Sequence, residues 1–355
     1  MGFSTHAALW LRRLVEAGRR AHNGASWPAT PEPGASEFFS PDMNFADHPE
    51  WPANETVCPK VLLVVAHPDD ESECAAFLYR VTHELRGVVD QVVVTNGEAG
   101  MQYAAPVQAY YGVPLSADHG RKHLARIRRR ELLRACRILG VRHNYFLDQN
   151  DTGFTFDLNA GYQAWDVVRV RQRLQALLER SEYNMVVTLL PASDTHGHHQ
   201  TVALLTLEAV AQIELGKRPA VLGVRTATGQ NCQHDFAELP GYPLTRTTSS
   251  APLWTFDRRA PLGGHKALDY SIVVNWIIAE HKSQGMFQME YGRRTTEDFW
   301  LFEVSGASGV AKWRSFMDAI PTWEVPNGGS APAMKPLAPR LNTLTGSPAQ
   351  QPDSN

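Results

Sequence analysis

One apolar run constrains this chain most: Val61-Leu-Leu-Val-Val-Ala66, bounded by Pro59-Lys60 and broken off at His67-Pro68-Asp69-Asp70-Glu71. Six consecutive apolar residues between prolines suit a strand buried on both faces, as in a parallel sheet. A surface helix would instead repeat its apolar positions every third or fourth residue. A second run, Met185-Val-Val-Thr-Leu-Leu190, leads into Pro191-Ala-Ser-Asp194-Thr-His196-Gly-His198-His199-Gln200. Ligands of α/β sheets bind beyond the carboxyl ends of strands. Here two such ends, far apart in sequence, each carry imidazole and carboxylate donors suited to a divalent metal.

The rest of the chain alternates in the way βαβ units require. A helical periodicity over 72–85 precedes a strand at 91–95. A basic helix over 123–139 stops at Gly140, and a short strand at 144–147 leads to the turn Asn150-Asp151-Thr-Gly153. Helices are expected at 165–180, at 201–215 and over 264–284, with a β-rich edge in 230–262. The fold class is therefore α/β with a mostly parallel central sheet. Residues 58–324 form the catalytic domain in this reading. Residues 1–57 form an amphipathic N-terminal helix and an irregular extension. Residues 325–355, rich in Pro, Ala, Gly and Ser, bury too little apolar surface to order and form a disordered tail.

Composition removes several function classes. The 355 residues carry a formal charge of −3, which gives no electrostatic footprint for nucleic acid or an anionic membrane. No stretch reaches the roughly 20 apolar residues of a membrane span, and Arg12 and Arg13 interrupt the apolar N-terminus, so no secretory signal is expected. Cys58, Cys74, Cys136 and Cys232 show no CxxC spacing, which favours a reducing compartment, the cytoplasm. A small polar molecule is the expected partner, and a homo-oligomer is compatible with the chain.

The two strand ends together supply a catalytic metal set. His67, Asp70 and His199 give two imidazoles and a carboxylate, leaving a position open to water, the ligand count of catalytic rather than structural zinc. Spacing alone leaves His198 a rival to His199, and iron(II) accepts the same donors as Zn2+. Neighbouring side chains on an extended segment point apart, so Asp69 is free to act as general base while Asp70 binds metal. His196, as an imidazolium that Asp194 could orient, would stabilise an oxyanion or protonate a leaving amine. An Asp-Asp-Glu run after proline often only caps a helix, and Glu71 is read that way.

At these residues the chain resembles the LmbE-like, or PIG-L, family of zinc-dependent N-deacetylases. The family's AHPDDE segment stands unbroken as Ala66 to Glu71, and its later HxxH motif corresponds to His196-Gly-His-His199. Further matches are Thr95-Asn-Gly-Glu-Ala-Gly100, Arg128-Arg-Arg-Glu131 and His281-Lys-Ser-Gln284. The resemblance implies a Rossmann-like three-layer fold, one zinc ion per chain on His67, Asp70 and His199, Asp69 as base and His196 as second catalytic residue. It also implies that Arg128 and Asp151 contact substrate hydroxyls. The implied activity is removal of an N-acetyl group from an N-acetylglucosamine-type amino sugar or glycoconjugate. The alternatives are a zinc amidase for a larger amide, such as a thiol conjugate, and a noncatalytic metal or carbohydrate binder. Gly197-His198 replaces the Pro-Asp usual between the two histidines.

Overall fold

The computed structural model describes residues 59–113, 117–228, 234–263, 265–285 and 293–320. Backbone proximity divides the chain into Met1–Ala53 and Asn54–Asn355, and every described residue belongs to the second unit. The expected N-terminal helix and C-terminal tail lie outside the described residues.

Nine strands are described: β1 Lys60–Val65, β2 Val88–Thr95, β3 Val141–Gln149, β4 Met185–Leu189, β5 Ala220–Ala227, β6 Trp254–Asp257, β7 Pro261–Leu262, β8 His265–Asp269 and β9 Thr296–Leu301. The α-helices are α1 Ala75–Tyr79, α2 Gln108–Tyr111, α3 Ala117–Leu139, α4 Asn159–Ala164, α5 Val167–Ser181, α6 Gly197–Ala211, α7 Ser271–Glu280 and α8 Gly306–Ala319. Seven strands form one sheet in the order β3-β2-β1-β4-β5-β9-β6, and β7 pairs with β8 separately. β1 to β5 run parallel, while β9 lies antiparallel between β5 and β6.

The apolar run of β1 is buried on both faces because the sheet is covered on both. Val61, Leu63 and Val65 enter one core with residues of α1, α3, α7 and α8, and Leu62, Val64 and Ala66 enter another with residues of α5 and α6. Each fully buried Val or Leu contributes about 1.5–3 kcal/mol relative to exposure. That alternation makes the three-layer fold. From β1 the chain winds outward through β2 to β3, then returns to β4 and continues to β5 on the other side. The strand order therefore reverses between β1 and β4, the crevice where such sheets bind ligands. Both donor clusters follow these two strands.

Several boundaries differ from the sequence reading, each for a local reason. The helix expected over 72–85 is a 3-10 turn at Asp70–Cys74, then α1, then a π turn at Arg80–Glu84. The helix expected from 201 begins at Gly197, because the His196 ring accepts a bond from the His198 backbone N–H and caps it. The stretch 264–284 is β8, α7 and a 3-10 turn at Lys282–Gln284 rather than one helix, with Asp269 Oδ1 accepting from Ser271 N at 3.0 Å where α7 starts. Two amides at the start of α1, Ala76 and Phe77, have no helical acceptor. The buried carboxylate of Glu297 in β9 takes both, at 2.9 Å each, and also accepts from Arg258 Nε at 2.9 Å.

Candidate active site

The turn after β1 is fixed by its own carboxylate. Asp70 Oδ2 accepts from the backbone N–H groups of Ala66 at 3.0 Å and His67 at 2.8 Å, so the chain folds back at Pro68. Asp69 takes φ 150°, a conformation costly for a residue with a Cβ and found where surrounding structure enforces it. Arg128 of α3 supplies that enforcement: Nη2 donates to Pro68 O at 3.0 Å and to Asp69 Oδ1 at 2.8 Å, and Nη1 to Gly97 O at 2.8 Å. Gly97 is required there, since a Cβ would stand 2.2 Å from the guanidinium.

The turn after β4 brings the histidines across. His199 Nε2 lies 3.2 Å from His67 Nδ1 and 3.2 Å from Asp70 Oδ1, and His67 Nδ1 lies 3.6 Å from Asp70 Oδ2. With one donor atom from each residue, the three lie within 4.8 Å of one another, close enough to share a metal ion. His198 faces elsewhere. It is fully buried, with Nδ1 at 3.1 Å from His67 Nε2 and Nε2 at 2.8 Å from Thr152 Oγ1. A continuous hydrogen-bonded chain runs from His67 through His198 to Thr152; with His67 Nδ1 on a metal, His67 Nε2–H would donate to His198 Nδ1 and His198 Nε2–H to Thr152. Such a partner orients a ligating imidazole from behind. His67, His196 and His198 also lie close enough to share an ion, but that group has no carboxylate.

The electrostatics separate the groups. Burial alone would raise the Asp70 carboxyl, but His199 and His67 facing it hold it well below the usual range. Burial would lower His67, and Asp70 beside it raises it instead. Asp69 is pushed up by burial, against the pull of Arg128. Burial and the neighbouring His67 and His199 lower His196 to about 2, and burial with His67 lowers His198 to about 3. These surroundings disfavour the imidazolium expected at residue 196. His196 Nδ1 accepts from His198 N at 3.0 Å, which leaves Nε2 to carry the proton. Asp194 does not orient it either, because both its oxygens are bonded to Arg225, at 2.9 and 3.0 Å.

His67, Asp69, Asp70, Arg128, Asp151, His196 and His199 all line one cleft of about 330 Å³. Asp151 accepts from Ala99 N at 3.0 Å and Gly153 N at 2.9 Å, and burial, which would raise it, is outweighed by His67 and these amides, so it is held low. The guanidinium of Arg128 is committed to Asp69 and two carbonyls.

Sequence reasoning missed two features. Glu71 does not merely cap a helix: it is fully buried and hydrogen-bonded to His281 Nε2. Burial would lower His281, but Glu71, Asp69 and Glu131 facing it raise it. At the cleft wall stand Phe154 and Phe156, 64% and 57% exposed, and the Phe154 ring meets His196 edge-on at 5.1 Å. The alternation Gly153-Phe-Thr-Phe156 after Asp151 was their only signal. Of other aromatic residues, Tyr103 lines the cleft, and Trp254 packs against Phe77 and Phe299 at the edge of the core. Cys74 and Cys136 are buried free thiols. No helix among the described residues is long and apolar enough to cross a membrane.

Comparison with known proteins agrees with this arrangement of motifs. Residues 62–210 match the family model described as PIG-L: GlcNAc-PI de-N-acetylase. A probable N-acetyl-alpha-D-glucosaminyl L-malate deacetylase 2 from Bacillus anthracis is 27% identical over 173 residues, 49% of this chain and 69% of the relative. Among solved structures, the N,N'-diacetylchitobiose deacetylase of Pyrococcus horikoshii aligns with TM-score 0.43 and 20% identity, over 69% of this chain and 84% of its own. The 4-carboxy-2-hydroxymuconate hydratase GalB of Pseudomonas putida KT2440 aligns with TM-score 0.45 and 16% identity, over 68% and 95%. With the AHPDDE turn and the HxxH cluster both inside the matched residues, the segment 62–210 belongs to the PIG-L (LmbE-like) family.

Proposed function

We propose that this protein is a metal-dependent hydrolase that removes an N-acetyl group from an amino-sugar substrate of the N-acetylglucosamine type. One observation carries the reading: donor atoms of His67, Asp70 and His199 that lie within 4.8 Å of one another share a cleft with a second carboxylate, Asp69, and a further imidazole, His196. His67, Asp70 and His199 would hold one ion, zinc in this reading. When bound, zinc acts as a Lewis acid that lowers the pKa of water towards about 7 and polarises a carbonyl.

The chain's own residues do the rest. Arg128 holds Asp69 by Oδ1, which leaves Oδ2, unbonded among the described residues, to take the proton from the attacking water and return it to the leaving amine. His196, whose Nδ1 is occupied by a backbone N–H, donates from Nε2 to the oxyanion of the tetrahedral intermediate. Arg128 positions Asp69 and, with Asp151, forms the wall against which the sugar hydroxyls lie. A small amino-sugar glycoconjugate is the partner, the cytoplasm the compartment, and a homo-oligomer is compatible with the fold.

The test measures acetate and amine release from N-acetylglucosaminides and one bulky thiol-conjugate amide, using metal-analysed protein before and after chelation. Activity on the acetylated sugars, lost with the metal and restored by zinc, is expected. Restoration by iron(II) alone would replace zinc in the reading, and preference for the bulky amide would favour the amidase. Turnover unchanged in metal-free protein would refute it.

A further inference from the structure

The segment His281 to Gln284 holds three of the pieces that build the cleft, and the proposed chemistry uses none of its residues. His281 Nε2 is bonded to Glu71, two residues beyond Asp69. Ser283 donates to Glu131 twice, from N to Oε1 at 2.8 Å and from Oγ to Oε2 at 2.6 Å. Glu131 lies one helical position class from Arg128, three residues on along α3, so the two share a face. Gln284 Nε2 donates to Gly100 O at 3.3 Å, in the loop whose Gly97 carbonyl accepts from Arg128. Glu71, Glu131, His281 and Ser283 are all fully buried.

Buried ion pairs contribute little net stability compared with apolar residues of the same volume. Four buried polar groups at this place instead suit a demand for geometry. Asp69 needs that geometry most, because its positive φ persists only where neighbours over-determine it. We infer that the segment from His281 to Gln284 is a positioning brace: by tying Glu71, Glu131 and Gly100 to one another it holds Asp69 and Arg128 in register. This rests on Asp69 being the base. None of the brace residues is assigned contact with the reacting atoms, so they are positioning residues.

The experiment compares His281→Ala with His281→Gln, whose amide nitrogen can replace Nε2 as donor to Glu71, in zinc-loaded full-length protein. For His281→Ala, kcat per bound zinc is expected to fall at least 30-fold with KM within threefold of the parent, and His281→Gln to recover at least tenfold of that loss. In parallel, backbone hydrogen exchange in His281→Ala should quicken at least tenfold over residues 66–74 and stay at the parent rate in α5. A kcat within threefold of the parent, no recovery by His281→Gln, or parental exchange over 66–74 would each overturn the brace. If the parent releases no amine from any substrate, the functional reading fails, and the exchange comparison alone decides the brace. Should His281→Ala not fold, Ser283→Ala takes its place, with a kcat loss of at least threefold and quickened exchange over 66–74 expected; parental values for both would overturn the brace.

Discussion

The turn after β1 is closed by its own Asp70 and clamped from α3 by Arg128, whereas the turn after β4 takes its shape from the loop before α4. In the first, Asp70 accepts from Ala66 and His67, residues three and four positions away. In the second, Gly197 N donates to Thr155 O at 2.7 Å, and Thr201 Oγ1 donates to Leu158 O at 2.6 Å, both across to the segment before α4. The first turn is preorganised at the cost of a strained Asp69, and the second is an unstrained helix start placed by packing. Together they teach that a strained residue and a relaxed one can meet at one site when each is fixed by a separate means.

Four outcomes would sharpen or break this contrast. The largest concerns the strained turn: Asp69→Asn keeps the shape and the metal but removes the base, and kcat should fall about 10²–10⁴-fold. Steady-state rates on metal-counted protein check it, and a loss below tenfold would return Asp69 to a structural role. Next is the second turn's pair of adjacent histidines. His199→Ala should abolish stoichiometric metal, while His198→Ala, which removes only the support behind His67, should weaken affinity by about 10–100-fold. Competition with a chromophoric chelator separates them, and equal losses would erase the distinction drawn between ligand and support.

The third probes the loop before α4. A Cβ at residue 197 would stand 2.2 Å from the Asp157 carbonyl oxygen, so Gly197→Ala must push the two segments apart. About 1–3 kcal/mol of stability should be lost, with weaker metal binding, by denaturant titration and metal competition. An unaffected variant would mean that α6 places His199 without that loop.

The smallest lies away from both turns, at Asp90 of β2. Burial would raise this carboxyl, but bonds from Arg142 and Tyr183 hold it below the usual carboxylate range. A depressed folded value stabilises above the unfolded value of about 3.9, and the gain is lost as pH falls through the lower folded value. Asp90→Asn should cost about 1–3 kcal/mol at pH 7, and the gap to the parent should narrow as the pH drops below about 4. A gap constant with pH would show that packing, not charge, is what Asp90 supplies.

Much of this was legible in the chain. The runs at 61–66 and 185–190 declared two buried strands, and the residues after them declared donors, because a buried parallel strand and a metal site both leave compositional marks. The choice between His198 and His199 was not legible from spacing, since both sit in the first turn of α6 and only helix phase separates them. Nor was the pairing of Glu71 with His281, 210 residues apart, because a buried ion pair needs the tertiary fold to bring its halves together. The strand β8 escaped for a different reason. Its five residues, His-Lys-Ala-Leu-Asp, are too few to show a period of two beside an apolar helix.

The carboxylate of Glu297 also sets an order of events during synthesis. It lies in the last strand of the sheet, yet it accepts from the amides of Ala76 and Phe77, 221 and 220 residues earlier. A ribosome-bound chain that has released β1 to β5 has all three proposed metal donors and no partner for the start of α1. The start of α1, which follows the catalytic turn, thus finds its acceptor only once β9 has been made.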